Sequence, residues 1–289
     1  MRRFGPTQWA MLAPAQALLW AAIALPALYV LWLSVTDSSY GSGMGFVGLR
    51  NYQTIWQDRY FWRALVNTLV VIHVVIYTEL ALALALAAAV AGMRHRRVLI
   101  SIILMPYAIS EVVAVIIWKF LMDPNAGAVA RALTGLGAPA LNWASDPAAG
   151  LTLVSIVSIW LHLPFSFLIV LAAMLAVPRE QHEAAAVDGA GAWRRFRHVT
   201  LPSIVPALLV ALVFRYILAF RLFSEVWLLT GGGPARRTEV LAIYLYKQAF
   251  TYADFGAGAA TGWLMVVVSL AFAAGYVRLL HGASFSARA

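Results

Sequence analysis

An all-α integral membrane protein with six transmembrane helices is the fold class this sequence predicts, on three observations. The first is composition: 63% of the 289 residues are hydrophobic, 11% are charged, and the mean hydropathy is +0.81. Soluble domains average about 45–50% apolar and about 25% charged residues, so this chain has too little charge to cover a water-facing surface, and a bilayer is the solvent that suits it. The second is that the apolar residues come in long runs, and a helix needs about 20 of them to cross hydrocarbon. The third is that most charges lie between the runs. Only helices and closed barrels satisfy their backbone in lipid, and unbroken runs favour helices over alternating strands.

The first run, residues 9–35, is uncharged. Arg2 and Arg3 precede it as in a cleaved signal, but a signal's apolar region is about 7–15 residues long. Here the run continues through Trp20, Tyr29 and Trp32 without a small-residue exit, so it reads as a retained span. The second run, 64–93, carries only Glu79 and follows the aromatic cluster Trp56, Tyr60, Phe61 and Trp62. The third, 98–122, carries Glu111 and Lys119, the latter near an end where its stem lets the ammonium reach the interface. The fourth, 147–178, is uncharged; the fifth, 199–230, carries Arg215, Arg221 and Glu225. Tyr244, Tyr246, Phe250 and Tyr252 precede the uncharged sixth, 255–277. Both aromatic clusters read as interfacial helices, because amphipathic rings lie well at headgroup level. Pro106, Pro164 and Pro206 predict kinks in spans three, four and five.

Basic residues fix the orientation. One side collects Arg2, Arg3, Arg94, Arg96, Arg97, Arg179, Arg194, Arg195, Arg197, Arg278 and Arg288 in short segments. The other has Arg50, Arg59, Arg63, Arg131, Arg236, Arg237 and Lys247 over longer loops. Both termini are therefore expected in the cytoplasm, and the net charge of +9 follows from topology without a nucleic-acid partner. With no cysteine, a disulfide scaffold, a thiolate zinc site and cysteine catalysis are excluded.

Ionisable residues inside spans are costly and tend to face a bundle interior, a partner or a watery path. Glu79, Glu111, Arg215, Arg221 and Glu225 are thus candidates for a translocation path. Arg221 and Glu225, four apart on one predicted helix, can form an i, i+4 pair, a reading that stands beside a role in the path. No enzyme chemistry emerges. Lys119 and Lys247 lack the glycine that precedes a phosphate-loop lysine, and Gly231 to Gly233 read as a helix stop. His182-Glu183 lacks a second histidine because position 186 is alanine, and the remaining histidines show no ligand spacing, so neither metal nor cofactor is expected.

The segment 178–202 carries the strongest signal. Pro178 suits a first helical turn, Glu180 and Glu183 suit its positive end, and Gly189 or Gly191 can end it in a left-handed cap. The helix has a small face at Ala184, Ala185 and Ala186, which another backbone can approach closely. A second turn sets Trp193 and Phe196 on one face, and Pro202 is expected to open span five. Glu183-Ala184-Ala185, then Gly189, then Val199, Leu201 and Pro202 at their spacing resemble the EAA signature of permease subunits of binding-protein-dependent ABC importers. Val199, where isoleucine is commoner, is the single soft departure. Flanking runs are similar to the carbohydrate-uptake branch, and most to its first-permease type. These are Gly48 to Tyr52 ahead of Asn67-Thr68, Trp118 to Gly127 with Asp123-Pro124, Leu229 to Pro234 with Thr238, and Tyr246 to Phe250 before Gly256.

The resemblance implies a type I ABC importer transmembrane domain in the bacterial inner membrane, surrounded by membrane lipid. Residues 1–63 would form the first helix and an outer interfacial segment, and 64–278 the five-helix core with its coupling loop. Glu183, Ala184, Ala185, Asp188, Gly189, Val199, Leu201 and Pro202 would couple to an ATPase dimer, the loop sitting in a cleft of that subunit. A second, different permease and an extracytoplasmic solute-binding protein would complete the system, with a sugar or related polyol as solute. The rival is an autonomous ion-coupled transporter using Glu79, Glu111 or Glu225 as proton carriers; six spans are few for that, and the EAA loop would have no role.

Overall fold

A computed structural model describes residues 5–39 and 44–286; Arg2, Arg3 and Arg288 of the orientation argument lie outside them. Among the described residues, five helices are long and apolar enough to cross a membrane, and six spans result if a bent pair is counted as one. The chain forms two compact units, which are described separately.

The first unit contains the described residues up to Phe61 together with Tyr244–Val266. Helix α1 (Pro6–Leu19) passes through a π-turn (Trp20–Ala24) into α2 (Leu25–Ser34). A two-residue ribbon follows, β1 (Thr36–Asp37) antiparallel to β2 (Gly45–Phe46), then α3 (Arg50–Gln57). Asn51 Nδ2 donates to the Ser34 and Thr36 carbonyls at 2.9 Å, tying α3 to the C-terminal end of α2. The aromatic clusters divide here. Phe61 and Tyr244 are buried and meet edge to face at 5.8 Å, with the Tyr244 hydroxyl donating to Asp58 Oδ2 at 2.8 Å. These two are core residues, whereas Trp56, Phe250 and Tyr252 stay exposed as interfacial rings would.

The second unit, Trp62–Ile243 with the chain from Val267 onward, holds the main bundle. In α4 (Arg59–Ala91) the buried stripe Ile72, Ile76, Glu79, Ala83, Ala87 and Val90 recurs at three- and four-residue steps, the helical period. In α8 (Pro147–Leu175) the Asp146 side chain accepts from the Ala148 and Ala149 amides, Pro147 sits in the first turn, and buried residues occur on every face. Helix α8 is thus the central post. Ala83, Ala87 and Val90 pack with Phe167, Val170 and Ile204, joining α4 and α8 to α11 (Leu201–Ala219). A second cluster joins Val71 and Val75 to Leu153, Val157 and Val226. Val268, Phe272 and Tyr276 of α14 (Phe255–Ser286) cover Ile76, Tyr216 and Phe220.

Two spans depart from expectation. The third is not one rod: α5 (Arg96–Leu104) runs into a 3₁₀ turn (Met105–Ala108) containing Pro106, Ile109 and Ser110 are extended, and α6 (Glu111–Leu121) leaves at 96°. Proline removes an N–H and crowds the preceding turn, which is the usual cause of such a break. The fifth ends at Ala219, eleven residues before its expected limit of Thr230; the chain turns through 220–223 and resumes in the short α12 (Ser224–Leu229). At its start the same span runs longer than expected. It is helical from α10 (Ala192–Arg195) through a π-turn (Phe196–Thr200) into α11, so Pro202 lies inside the rod. The widened turn lies beside the carbonyl that Pro202 cannot bond.

Helix α7 (Ala128–Gly135) is a short connector, α9 (Arg179–Val187) precedes the rod, and α13 (Leu241–Tyr246) precedes α14. The glycine run at 231–233 does end α12: Gly231 and Gly232 have φ of +59° and +83°, and the Gly231 amide donates to the Val226 carbonyl.

Candidate functional site

The bend in the third span and the break after the fifth open a cavity of about 560 Å³ in the second unit. Val71, Ile72, Val75 and Leu161 give it apolar walls; Glu111, Ser158, His162, Arg215, Arg221 and Glu225 bring polar groups. Of the five ionisable candidates, four line this space, and Glu79 lies behind Arg215.

Arg215 and Glu79 form the buried ion pair. Arg215 Nη2 and Nε reach Glu79 Oε2 at 2.8 and 2.9 Å, and Ser166 Oγ donates to Glu79 Oε1 at 2.5 Å. The two side chains are 2% and 0% exposed. Three helices, α4, α8 and α11, are therefore joined by one charge-assisted network, which satisfies groups that lipid could not. Of the two readings of Arg221 and Glu225, the pair is not formed. Arg221 lies in the break and Glu225 beyond it, so the four-residue helical spacing that would bring them together is lost. Arg221 is exposed and, among the described residues, has no ion-pair partner.

Glu225 is buried instead with Ser158 and Glu111 within interaction range. Glu111 and Glu225 occupy the first turns of α6 and α12. His162 Nδ1 lies 2.8 Å from the Ser158 carbonyl, which can only accept, so that nitrogen carries the proton and Nε2 remains an acceptor. Ser158, His162 and Ser166 were not among the sequence candidates, although their four-residue steps form a polar stripe along α8. Lys119, exposed in the last turn of α6, donates from its ammonium to the Leu228 carbonyl at 2.7 Å, near the C-terminal end of α12.

The loop 178–202 is a built knob. Helix α9 carries Glu183, Ala184 and Ala185, and Asp188 is its C-cap. Gly189 then takes φ +74°, with the Ala190 amide donating to Ala185 O at 2.9 Å and the Gly189 amide to Ala186 O at 3.0 Å. This double closure is the Schellman arrangement, and of the two glycines considered Gly189 supplies the left-handed residue. Trp193 and Phe196 stack at 5.6 Å, sharing a face as expected. Val187 is 88% and Trp193 69% exposed, while Phe196, Val199 and Leu201 pack against the buried α4–α8 cluster. The motif residues thus divide into an outward group before Gly189 and an anchoring group after it.

A helical bundle with a polar cavity between broken helices, and a capped knob rigidly joined to it, is the build of a membrane transport subunit. The chain belongs to the family described as binding-protein-dependent transport system inner membrane component, whose pattern matches residues 80–282. It is 36% identical to the trehalose transport system permease protein SugA of Mycobacterium tuberculosis, over 95% of this chain and 88% of that one. It is 34% identical to the sn-glycerol-3-phosphate transport system permease protein UgpA of Yersinia pestis, over 84% and 83% of the two chains. Its fold matches a chain of the crystal structure of a bacterial alginate ABC transporter in complex with an alginate pentasaccharide-bound periplasmic protein. That match has a TM-score of 0.80, covers 93% of this chain and 91% of that one, and has 24% identity. The fold is that of type I ABC importer permeases, and the reading as an autonomous secondary transporter gives way to that of a permease subunit.

Proposed function

We propose that this chain is one of two different permease subunits of an ATP-driven importer in the inner membrane, forming half of the path for a sugar or related polyol. The knob carries this reading. An exposed valine and tryptophan on a capped, water-facing turn form a surface that a partner would cover, and the partner of matching role is an ATPase. The unbroken helical segment Ala192–Ala219, 28 residues long, spans about 42 Å at 1.5 Å per residue and joins the knob to the cavity wall at Arg215. Movement of the knob as the ATPases close would tilt this rod and reshape the cavity. The arginine asymmetry supports a cytoplasmic position for the knob. An external solute-binding protein would deliver the solute to the opposite face.

The cavity chemistry supports the solute class. Arg215 supplies donors, Glu111, Glu225 and His162 Nε2 supply acceptors, Ser158 can do either, and the remaining wall is apolar. Hydroxyl-rich solutes both donate and accept along an otherwise apolar ring, and the trehalose system named for SugA handles such a solute.

Tagged chain drawn from its native membranes is expected to bring down an ATPase and a second permease. Gly189→Val forces a β-branched residue to φ +74°, a strain of about 1–3 kcal/mol, and Ala185→Trp fills the small face. Both variants are expected to keep the second permease and lose ATPase. Undiminished ATPase recovery in both would refute the coupling role.

A further inference from the structure

We propose that the segment 92–97, between α4 and α5, and the outer face of α5 together bind one anionic phospholipid. Its headgroup phosphate lies among Arg94, Arg96 and Arg97, and an acyl chain runs along Val98, Ile102 and Met105. This rests on the chain's residence in a membrane alone and is independent of the coupling and path readings.

Charge and shape both point to such an occupant. Every residue from 92 to 97 is exposed. Among the described residues none of the three arginines is in an ion pair, and the chain has no acidic residue between Glu79 and Glu111. A second basic segment is folded onto the same end of the bundle. Phe196 and Val199 pack on the buried cluster that also takes Val90, Ala91 and Leu99, and Arg195 and Arg197 stand on either side of Phe196. Like charges gathered in this way repel, and an anion relieves them.

Helix α5 is apolar on two faces. Leu99, Ile100 and Ile103 pack inward on that cluster, whereas Val98, Ile102 and Met105, at steps of four and three, are 61%, 56% and 66% exposed. Their stripe begins at the residue after Arg97 and runs for about 10 Å at 1.5 Å per residue. An acidic protein surface would answer the arginines and leave the stripe bare; a neutral lipid would cover the stripe and leave the arginines without an anion. An anionic phospholipid does both, and each arginine beside its headgroup strengthens binding about fivefold.

The purified complex in neutral detergent is titrated with dioleoylphosphatidylglycerol or dioleoylphosphatidylcholine, and bound lipid is counted by native mass spectrometry. Half-occupancy is expected at a phosphatidylglycerol concentration at least about tenfold below that of phosphatidylcholine. Arg94→Gln, Arg96→Gln and Arg97→Gln together should remove most of this preference, while Arg131→Gln, the same charge change on exposed α7, should leave it intact. Should the triple variant fail to insert, each single change to glutamine should cost about fivefold, and Arg96→Lys should keep the preference. Excess inorganic phosphate should leave the lipid bound, because the chain holds it too; displacement by phosphate would reduce the place to an anion site and overturn the lipid assignment. Equal affinity for the two lipids, or a preference that survives the arginine changes, overturns the proposal. So does a preference seen only after the ATPase is stripped from the complex, which would give the arginines to that partner.

Discussion

Replacing Arg215 by methionine tests whether the Glu79–Arg215 pair holds the bundle together. The change keeps much of the side-chain volume and removes both contacts to Glu79 Oε2, at 2.8 and 2.9 Å, leaving a fully buried carboxylate with only Ser166 as partner. Removing one member of a buried pair costs about 3–5 kcal/mol. A ceiling applies, because a stranded carboxylate can take up a proton, and protonating an ordinary glutamate at pH 7 costs about 3.7 kcal/mol. The expected loss is therefore about 3–4 kcal/mol. Glu79→Leu should be comparably harmful. The double variant should recover most of the loss, since apolar replacements of a buried pair are often neutral or stabilising. Unfolding of the purified complex in mixed micelles measures all four corners of the cycle. A coupling energy below about 1 kcal/mol would mean that the contact does not hold the three helices, and the reasoning fails.

Two further outcomes follow from the same structure. Helix α12 has six residues, too few to persist unaided, so Lys119→Met, which removes a charged hydrogen bond of about 1.5–3 kcal/mol, should lower uptake, and Lys119→Arg should restore part of it; unchanged uptake in the methionine variant would show that α12 needs no such clamp. For topology, Arg96→Cys and Arg195→Cys should be labelled only from the cytoplasm, and Gln57→Cys and Ser145→Cys only from outside, with labelling of position 195 from outside overturning the orientation. The outer positions avoid Asp58, which holds Tyr244, and Asp146, which caps α8.

Much of the fold was legible because burial writes a period into the sequence. The α4 stripe through Glu79 and the α11 stripe through Ile204, Leu208, Ala211 and Arg215 follow three- and four-residue steps that need no structure to see. The knob was legible because Gly189 is the residue that a left-handed cap favours. What the sequence hides is register between helices. Glu79 and Arg215 are 136 residues apart, and nothing local says that they meet. The break at 220–223 is hidden for another reason: Phe220, Arg221, Leu222 and Phe223 include neither glycine nor proline. Tertiary packing overrides helical continuity there, since the turn lets Phe220, Leu222 and Glu225 all be buried. Pro202 misled in the opposite sense, because a π-turn beside it lets the rod continue.

The different fates of the intramembrane charges follow from where each lies on its helix. Glu79 is far from both ends of α4, where every backbone group is engaged and no helix end helps a charge, and Arg215 lies within α11 one turn before its last residue. Each must find its counter-charge on another helix, and they find one another. Glu111 and Glu225 stand in first turns, where free N–H groups and the positive end of the helix supply about 0.3–2 kcal/mol to a carboxylate. They can therefore face the cavity without an ion-pair partner. Arg221 lies in the break and is exposed, so hydration serves in place of a partner. Position on the helix thus separates charges that hold the bundle from charges left available to the cavity. A polar residue near mid-helix, such as Ser166, belongs with the first kind by its bond to Glu79. The breaks at 105–110 and 220–223 do more than open space: they create the helix starts at which Glu111 and Glu225 stand, with Ser158 beside Glu225.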